Sequence, residues 1–281
     1  TNGKGSTCAM LSSLLSRHGL RVGLYTSPHL VRFTERFRID DREVSPRRIV
    51  ALLDVIRSRM NSLESPTYFE MVTAMAMLYF SQEKVDVAIM EVGMGGRLDA
   101  TNVIMPLVSV ITSVSRDHEE YLGTSLSAIA REKAGIIKKE TPLVTAMQKK
   151  AVYSVLKASC WKMQAPMYRL GRDFHVKPGM EGTLNYKGIR HEWETLPVGL
   201  RGEHQQGNAA LALCVLELLE AGGLVRPEFG ALKEGLQRVE WPARLEVVQE
   251  NPLMVLDGDH NAQGADALRT ALSRDFNYGK L

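Results

Sequence analysis

Two largely apolar runs of strand length, Val85 to Val92 and Leu107 to Val114, constrain this chain more than any other feature. A strand that alternates polar and apolar residues can face water on one side. A strand apolar throughout needs cover on both faces, the situation of a parallel strand inside an α/β sheet. The flanking segments supply that cover. Small and apolar residues recur with helical spacing from Gly5 to His18, and Gly19 follows as a stop signal. Pro46 to Leu63 and Tyr68 to Glu83 read as helices, the second apolar on nearly every face and so expected to be buried. Arg21 to Thr26 is β-prone, Ser125 to Lys138 helical, Leu143 to Ala146 a strand and Ala151 to Met163 a helix. The alternation predicts an α/β fold, a mainly parallel sheet flanked by helices.

Between Leu170 and Val198 the texture changes to short alternating runs broken by Pro178-Gly179, Gly182 and Gly188, which predicts a β-rich excursion of hairpins. An Ala/Leu-rich helix returns at Gly207 to Leu219, another starts at Pro227, and Trp241-Pro242 breaks the chain before a strand from Leu245 to Leu256. A domain boundary is therefore expected near residue 242, dividing the chain into 1–242 and 243–281. The second part is shorter than most domains need to build a core. It reads as the beginning of a further α/β domain.

Composition narrows the function classes. The chain has 35 Lys and Arg against 32 Asp and Glu, a net +3, with no long basic run, so nucleic acid is not an expected partner. Hydrophobic residues at 44% and charged residues at 24% belong to an ordinary globular protein. No apolar stretch approaches the roughly 20 residues of a membrane span, and the first residues do not resemble a secretion signal. A cytoplasmic, monomeric protein without a membrane partner is expected. Cys8, Cys160 and Cys214 are too dispersed for a disulfide framework or a zinc knuckle.

Chemistry concentrates in four places. Gly3-Lys4-Gly5-Ser6 leads straight into the first helix and offers unobstructed backbone N–H groups, a cation and a helix N-terminus, the parts of a phosphate cradle. The common phosphate-loop pattern has Lys directly before Ser or Thr, whereas Gly5 intervenes here; its first glycine and preceding strand would lie before residue 1. Glu91 sits at the C-terminal end of one apolar run, where ligands of open α/β sheets bind, and is followed by Gly93, Gly95 and Gly96. It is a candidate magnesium ligand or, more plainly, a solvated strand-end carboxylate. Asp117-His118 follows the other run in the equivalent position, and His118 suits either a metal or a loop hydrogen bond. Lys133 lies among small and apolar neighbours. Most helix lysines are solvated, but a buried one has a lowered pKa and, when neutral, can take up carbon dioxide as a carbamate.

Taken together these blocks resemble one family, the folylpolyglutamate synthase and dihydrofolate synthase group of the Mur ligase superfamily. The resemblance is carried by Thr1 to Ser6, Tyr25 to Leu30, Thr67 to Glu70, Glu91 to Asn102, Asp117-His118 with Leu122-Gly123, and Glu132 to Ile136. It continues through His204-Gln205 with Asn208 to Ala210, Trp241 to Arg244 and Asp257 to Asn261. It implies a phosphate-loop-type sheet and an ATP-dependent amide ligase that adds L-glutamate to dihydropteroate or a reduced folate through an acyl phosphate, a step of folate and one-carbon metabolism. By similarity Asn2, Gly3, Lys4, Gly5 and Ser6 hold the triphosphate of ATP, and Ser27, Glu91 and His118 hold Mg2+. Lys133 matches the family's carbamylated lysine; with Lys4 and His118 it makes the catalytic set. Asn208, Arg244 and Asp257 resemble further ATP contacts, and Pro66, Thr67, Tyr68, Phe69, Leu98, Asp99 and Ala100 the contacts to the pterin-bearing acceptor.

Two positions depart from the family pattern. Asp259 stands where alanine is usual and Glu119 where a small or neutral residue is commoner, both adding negative charge near a triphosphate site. A cell-wall ligase of the same superfamily is the nearest rival, and Thr67 to Glu70 with Leu98 to Ala100 argue against it. A nucleotide switch without ligase activity is the rival from another class.

Overall fold

The computed structural model describes residues 1–61, 65–146, 148–180 and 182–276. Its first helix, α1 (Lys4–Arg17), starts from Gly3, which takes φ 84° at the N-cap. Only glycine adopts that conformation without strain, and the Asn208 side chain occupies the place a Cβ would need. The strand β1 (Val22–Tyr25) follows, buried at all four positions. Next come β2 (Phe37–Ile39) and β3 (Arg42–Glu43), then α2 (Pro46–Arg59), where Ser45 caps the Arg48 amide and Pro46 opens the first turn. The predicted end of α2 at Leu63 lies outside the described residues. Helix α3 (Tyr68–Glu83) begins from a reciprocal capping box between Thr67 and Glu70. The chain then enters β4 (Val87–Met90), parallel to β1 with Leu24 beside Ile89.

The chain continues with β5 (Ser109–Ile111), a single-turn α4 (Glu119–Leu122), α5 (Leu126–Ala134), β6 (Leu143–Thr145), α6 (Lys150–Met163) and β7 (Met167–Arg169). Ser125 caps α5 through the Ala128 amide. The helix stops at Ala134, short of the predicted Lys138. Gly135 packs against Arg97, where an added Cβ would strike the backbone, and this contact turns the chain.

These strands form two sheets. One has the order β3-β2-β1-β4, with β1 and β4 parallel and the remainder antiparallel; the other is the fully parallel β5-β6-β7. The α/β class and the mainly parallel pairing agree with the sequence reading. The two apolar runs, however, are not neighbours covered on both faces within a single sheet. No ladder joins β4 to β5; a cavity of about 640 Å³ runs between them, walled by Val87 to Gly93 and Val108 to Thr112. Ala88 is consequently exposed, and Val87 and Met90 are only half-buried. The polar end of the cavity, where Lys4, Glu91 and Lys133 lie, suits a charged ligand.

The hairpin segment folds as predicted into an antiparallel sheet of β8 (His175–Pro178), β9 (Thr183–Lys187) and β10 (Glu192–Pro197), ordered β10-β9-β8. Helix α7 (His204–Ala221) is buried over most of its length and, with α8 (Phe229–Gln237), packs on α1. Beyond residue 242 the predicted strand Leu245 to Leu256 is instead a hairpin, β11 (Glu246–Glu250) and β12 (Leu253–Leu256). Asn251-Pro252 makes the turn, because proline brings no N–H to continue a ladder. A helix that the sequence reading did not register, α9 (Ala262–Asp275), follows with Asn261 as its cap. Among the described residues no helix is long and apolar enough to cross a membrane.

The hairpin sheet is fastened to α7 by a single buried carboxylate. Glu217 is 0% exposed and accepts from Tyr186 Oη at 2.9 Å and from the amides of Ile189, Arg190 and His191 at 3.0, 3.1 and 2.8 Å. A charge removed from water is tolerated when donors surround it in this way. Gly188 leaves the room, since a Cβ there would fall on the carboxylate. Replacing Glu217→Ala strands four buried donors and is expected to lower unfolding stability by about 3 kcal/mol or more in denaturant titrations. A loss within the ordinary scatter of surface substitutions would show that water replaces the carboxylate.

Candidate active site

The N-terminus of α1, the loop after β4 and the last turn of α5 meet at the polar end of the split between the sheets. Lys4 is the first residue of α1, and its Nζ donates to the Thr1 carbonyl at 3.2 Å. Glu91 follows β4 directly and is 6% exposed. Its Oε2 accepts from the Ser27 amide at 3.1 Å. Burial pushes the Glu91 carboxyl above its ordinary range, while Lys4, the Ser27 N–H, Arg244 and Arg36 pull the other way. Lys133, in the last turn of α5, is lowered to about 8, first by burial and then by the neighbouring charge of Lys4, with Asp117 opposing. Its free amine therefore becomes the major form above about pH 8, and that is the form able to take up carbon dioxide.

The donor chemistry fits magnesium. The Ser27 hydroxyl and Glu91 Oε1 make no hydrogen bond among the described residues, and the Ser27 amide ties the two residues together through Glu91 Oε2. No group of three or more His, Cys, Asp or Glu is gathered as a metal cage among the described residues. Magnesium is usually held by one or two protein oxygens, with water and substrate phosphates completing the octahedron. His118 stands apart from this pair. It occupies a left-handed position with φ 49° at the N-cap of α4, is exposed, and has an ion-pair contact to Asp117 at 3.8 Å. No hydrogen bond or ion pair joins it to Glu91 among the described residues. Asp117 acts on Lys133, which places the segment at the same end of the molecule.

Residues beyond 242 close over the start of α1. Asn2 and Asn261 exchange amide hydrogen bonds at 3.0 and 2.8 Å, and Asn2 also reaches Gln263 at 3.5 Å. Asn208 abuts Gly3 and donates to Gln205 at 2.9 Å. Gly5 faces the Trp241 indole, which would lie 2.7 Å from an added Cβ, and Ser6 is buried. Arg244 folds back on the Ala243 carbonyl at 2.9 Å. Both oxygens of Asp257 accept backbone amides, from Leu245 at 3.0 Å and Asp259 at 2.8 Å, so its first task is to shape this crossing. Asp259 packs against Gly264, and Glu119 lies 3.8 Å from Arg116.

The acceptor candidates divide by what already occupies them. Thr67 is engaged as the cap of α3, and Pro66 is exposed beside it. Phe69 is half-buried under Gly93 and 6.1 Å from the Tyr25 ring, whereas Tyr68 is 60% exposed. Asp99 binds its own loop, accepting from Met94 N at 3.0 Å and from Thr101 N and Oγ1 at 3.0 and 2.6 Å. Ala100 opens the short 3₁₀ turn that follows, and Leu98 is 80% exposed. Tyr68 and Leu98 are therefore the apolar side chains free to meet a ligand. Sequence reasoning missed Arg36 and gave Gln205 no role of its own. Arg36 follows the apolar Phe33 and precedes a strand whose buried positions are Phe37 and Ile39; by alternation it reads as a solvent-facing residue, yet it is 7% exposed. Gln205 is wholly buried with its Nε2 unpartnered.

Residues 1–216 match the model of the Mur ligase middle domain. The chain is 38% identical to the dihydrofolate synthase/folylpolyglutamate synthase of Bacillus subtilis (strain 168), an alignment covering 100% of this chain and 68% of that protein. The chain belongs to that family. An FPGS–AMPPCP–folate complex superposes with a TM-score of 0.95 at 38% identity, covering 99% of this chain and 70% of that one. A structure of Escherichia coli FolC in complex with DHPP and ADP superposes at 0.92 and 34% identity, covering 100% and 65%. This chain thus spans about two thirds of the length of such folylpolyglutamate synthase relatives.

The burial of Glu91 sets a testable opposition between stability and function. A carboxyl raised by folding binds its proton more tightly in the native state. The stability it permits at low pH is lost as pH climbs from the unfolded value of 4.5 through the folded one, and the ionised group opposes folding at neutral pH. Glu91→Gln should therefore raise the thermal midpoint at pH 7 without nucleotide, while lowering magnesium-dependent turnover by on the order of 100-fold or more. A lower midpoint together with undiminished turnover would contradict this assignment.

Proposed function

We propose that this chain is the nucleotide-binding part, residues 1–242, and the start of the second α/β domain, residues 243–281, of a ligase joining L-glutamate to dihydropteroate and to reduced folates. The observation that carries the proposal is the meeting of Lys4, Glu91 and Lys133 at the α1 N-terminus in a member of this family. We take it as a monomeric cytoplasmic enzyme, and its near-neutral net charge of +3 supports small-molecule substrates rather than nucleic acid.

The reaction needs no protein nucleophile. A carboxylate oxygen of the acceptor attacks the γ-phosphorus of ATP and ADP departs, leaving an acyl phosphate. The glutamate amine then attacks the acyl carbon, phosphate departs, and an amide remains. Lys4 and the α1 amides cradle the transferred group and stabilise the charge spread over its oxygens, with the Asn2–Asn261 clasp, Asn208 and Arg244 bounding the nucleotide. Glu91 and the Ser27 hydroxyl, joined by His118 on moving toward them, would hold magnesium, which would supply charge neutralisation on the triphosphate. Lys133 acts as a carbamate; its half-buried place beside Lys4 favours turning a second cation into an anion. Tyr68, Phe69 and Leu98 give the acceptor's flat ring an apolar seat.

The decisive experiment measures phosphate release by the full-length protein with ATP and magnesium. Release is expected only when a carboxylate acceptor and glutamate are both present, with dihydropteroate and tetrahydrofolate each effective. Extension of tetrahydrofolate without any product from dihydropteroate would reduce the enzyme to a polyglutamate synthase. Release that needs no acceptor would point to a nucleotide switch, and a preference for sugar-linked acids to a cell-wall ligase. In the same assay Lys133→Ala should be inactive and regain part of its rate with a short carboxylic acid. Full rate in that variant without rescue would remove the carbamate.

A further inference from the structure

Arg36 is a buried cation that has no ion-pair partner among the described residues. It is 7% exposed, its Nε donates to Nδ1 of His29 at 2.8 Å, and its guanidinium lies over the Tyr68 ring, 5.7 Å from the centroid. Its backbone carbonyl accepts from the Thr26 amide at 3.2 Å, so it also closes the loop that carries Ser27. No carboxylate forms an ion pair with it among the described residues, although its charge acts on Glu91. The Nη nitrogens make no hydrogen bond there, yet neither is among the buried atoms left without a partner. They therefore keep some contact with solvent.

The contacts to His29 and Tyr68 explain where the side chain lies but not why it is charged. A hydrocarbon of equal length would pack on Tyr68 without the desolvation that a guanidinium suffers. With Nε engaged, the paired Nη nitrogens offer two parallel donors, the geometry that carboxylates accept. Their place is between two parts of the site already described. On one side lie Glu91 and the phosphate loop; on the other lies the aromatic patch of Tyr68 and Phe33, whose rings stand edge-to-face at 6.4 Å. An acceptor seated with its ring on the patch carries its carboxylate past Arg36 on the way to the triphosphate.

We propose that the Nη nitrogens of Arg36 bind the reacting carboxylate of the acceptor and hold it at the entrance to the phosphate site. This rests on the ligase reading above, and binding can be read without turnover. The full-length protein is titrated calorimetrically with dihydropteroate and with its carboxamide, which keeps the ring but lacks the charge. The wild type should prefer the acid, and Arg36→Met should weaken acid binding by on the order of 30-fold or more, bringing it to the level of the amide. Arg36→Lys, which keeps the charge but not the fork, should fall between. Binding of a non-hydrolysable ATP analogue should be unchanged in both variants, which also reports on folding. Preference for the acid persisting in Arg36→Met, or acid and amide binding alike in the wild type, would overturn the assignment. Loss of the ATP analogue from both variants in step with the acid would reduce Arg36 to a clamp on the Ser27 loop. Failure of the ligase reading shows itself separately, as wild-type protein that binds the acid but releases no phosphate with glutamate present.

Discussion

A surplus of positive charge around one buried carboxylate governs the arrangement of this molecule. Glu91 is 6% exposed, and Lys4, Arg244 and Arg36 all act on it, with Lys133 beside Lys4. Clustered cations removed from water repel one another and lose hydration, which a fold sustains when an anion completes the set. The N-terminus of α1 adds the positive end of a helix dipole to the same point. A triphosphate with its metal is the kind of ligand that satisfies Lys4, Arg244 and the helix terminus together.

The elements that deliver those charges come from separate parts of the chain, and the split between the sheets brings them to one place. β1 and β4 carry Ser27 and Glu91 to one rim, β5 carries the Asp117-His118 segment to the other, and α5 lays Lys133 across the gap. The loop from Gly93 to Asp99 can pass between because its glycines admit close neighbours: Phe69 would lie 2.6 Å from a Cβ on Gly93. Residues past 242 complete the enclosure through the Asn2–Asn261 clasp.

Where local pattern determines structure, the sequence was a faithful guide. The capping box of Thr67 and Glu70 and the apolar faces of Tyr68 to Glu83 place α3 at the residues expected, and the glycine-broken texture after Leu170 becomes the antiparallel hairpins. Lys4, Ser27 and Glu91 lie together, as strand-end and helix-start positions imply, whereas His118, expected in the same group, has no hydrogen bond or ion pair to them among the described residues. What was not legible depends on contacts distant in sequence. The Asn251-Pro252 turn was read through as strand because the flanking apolar residues outweighed one proline. Arg36 was invisible because alternation assigns it to solvent, while the fold buries it beneath Tyr68. Asp99 and Asp257 looked like ligand contacts from their motifs, but their oxygens are first engaged in holding loops. Alternation and propensity report the side of an element, not the partner that will meet it there.

If the cations at the split sheet edge are placed to receive magnesium and a triphosphate, the affinity for nucleotide must depend on both the metal and Lys4. Calorimetric titration of the full-length protein with a non-hydrolysable ATP analogue, with magnesium and then with the metal chelated, measures this directly. Binding is expected with magnesium, to weaken on chelation, and to fall by on the order of 30-fold or more in Lys4→Met. Equal affinity in all three titrations would show that the charge cluster serves the fold and not the nucleotide.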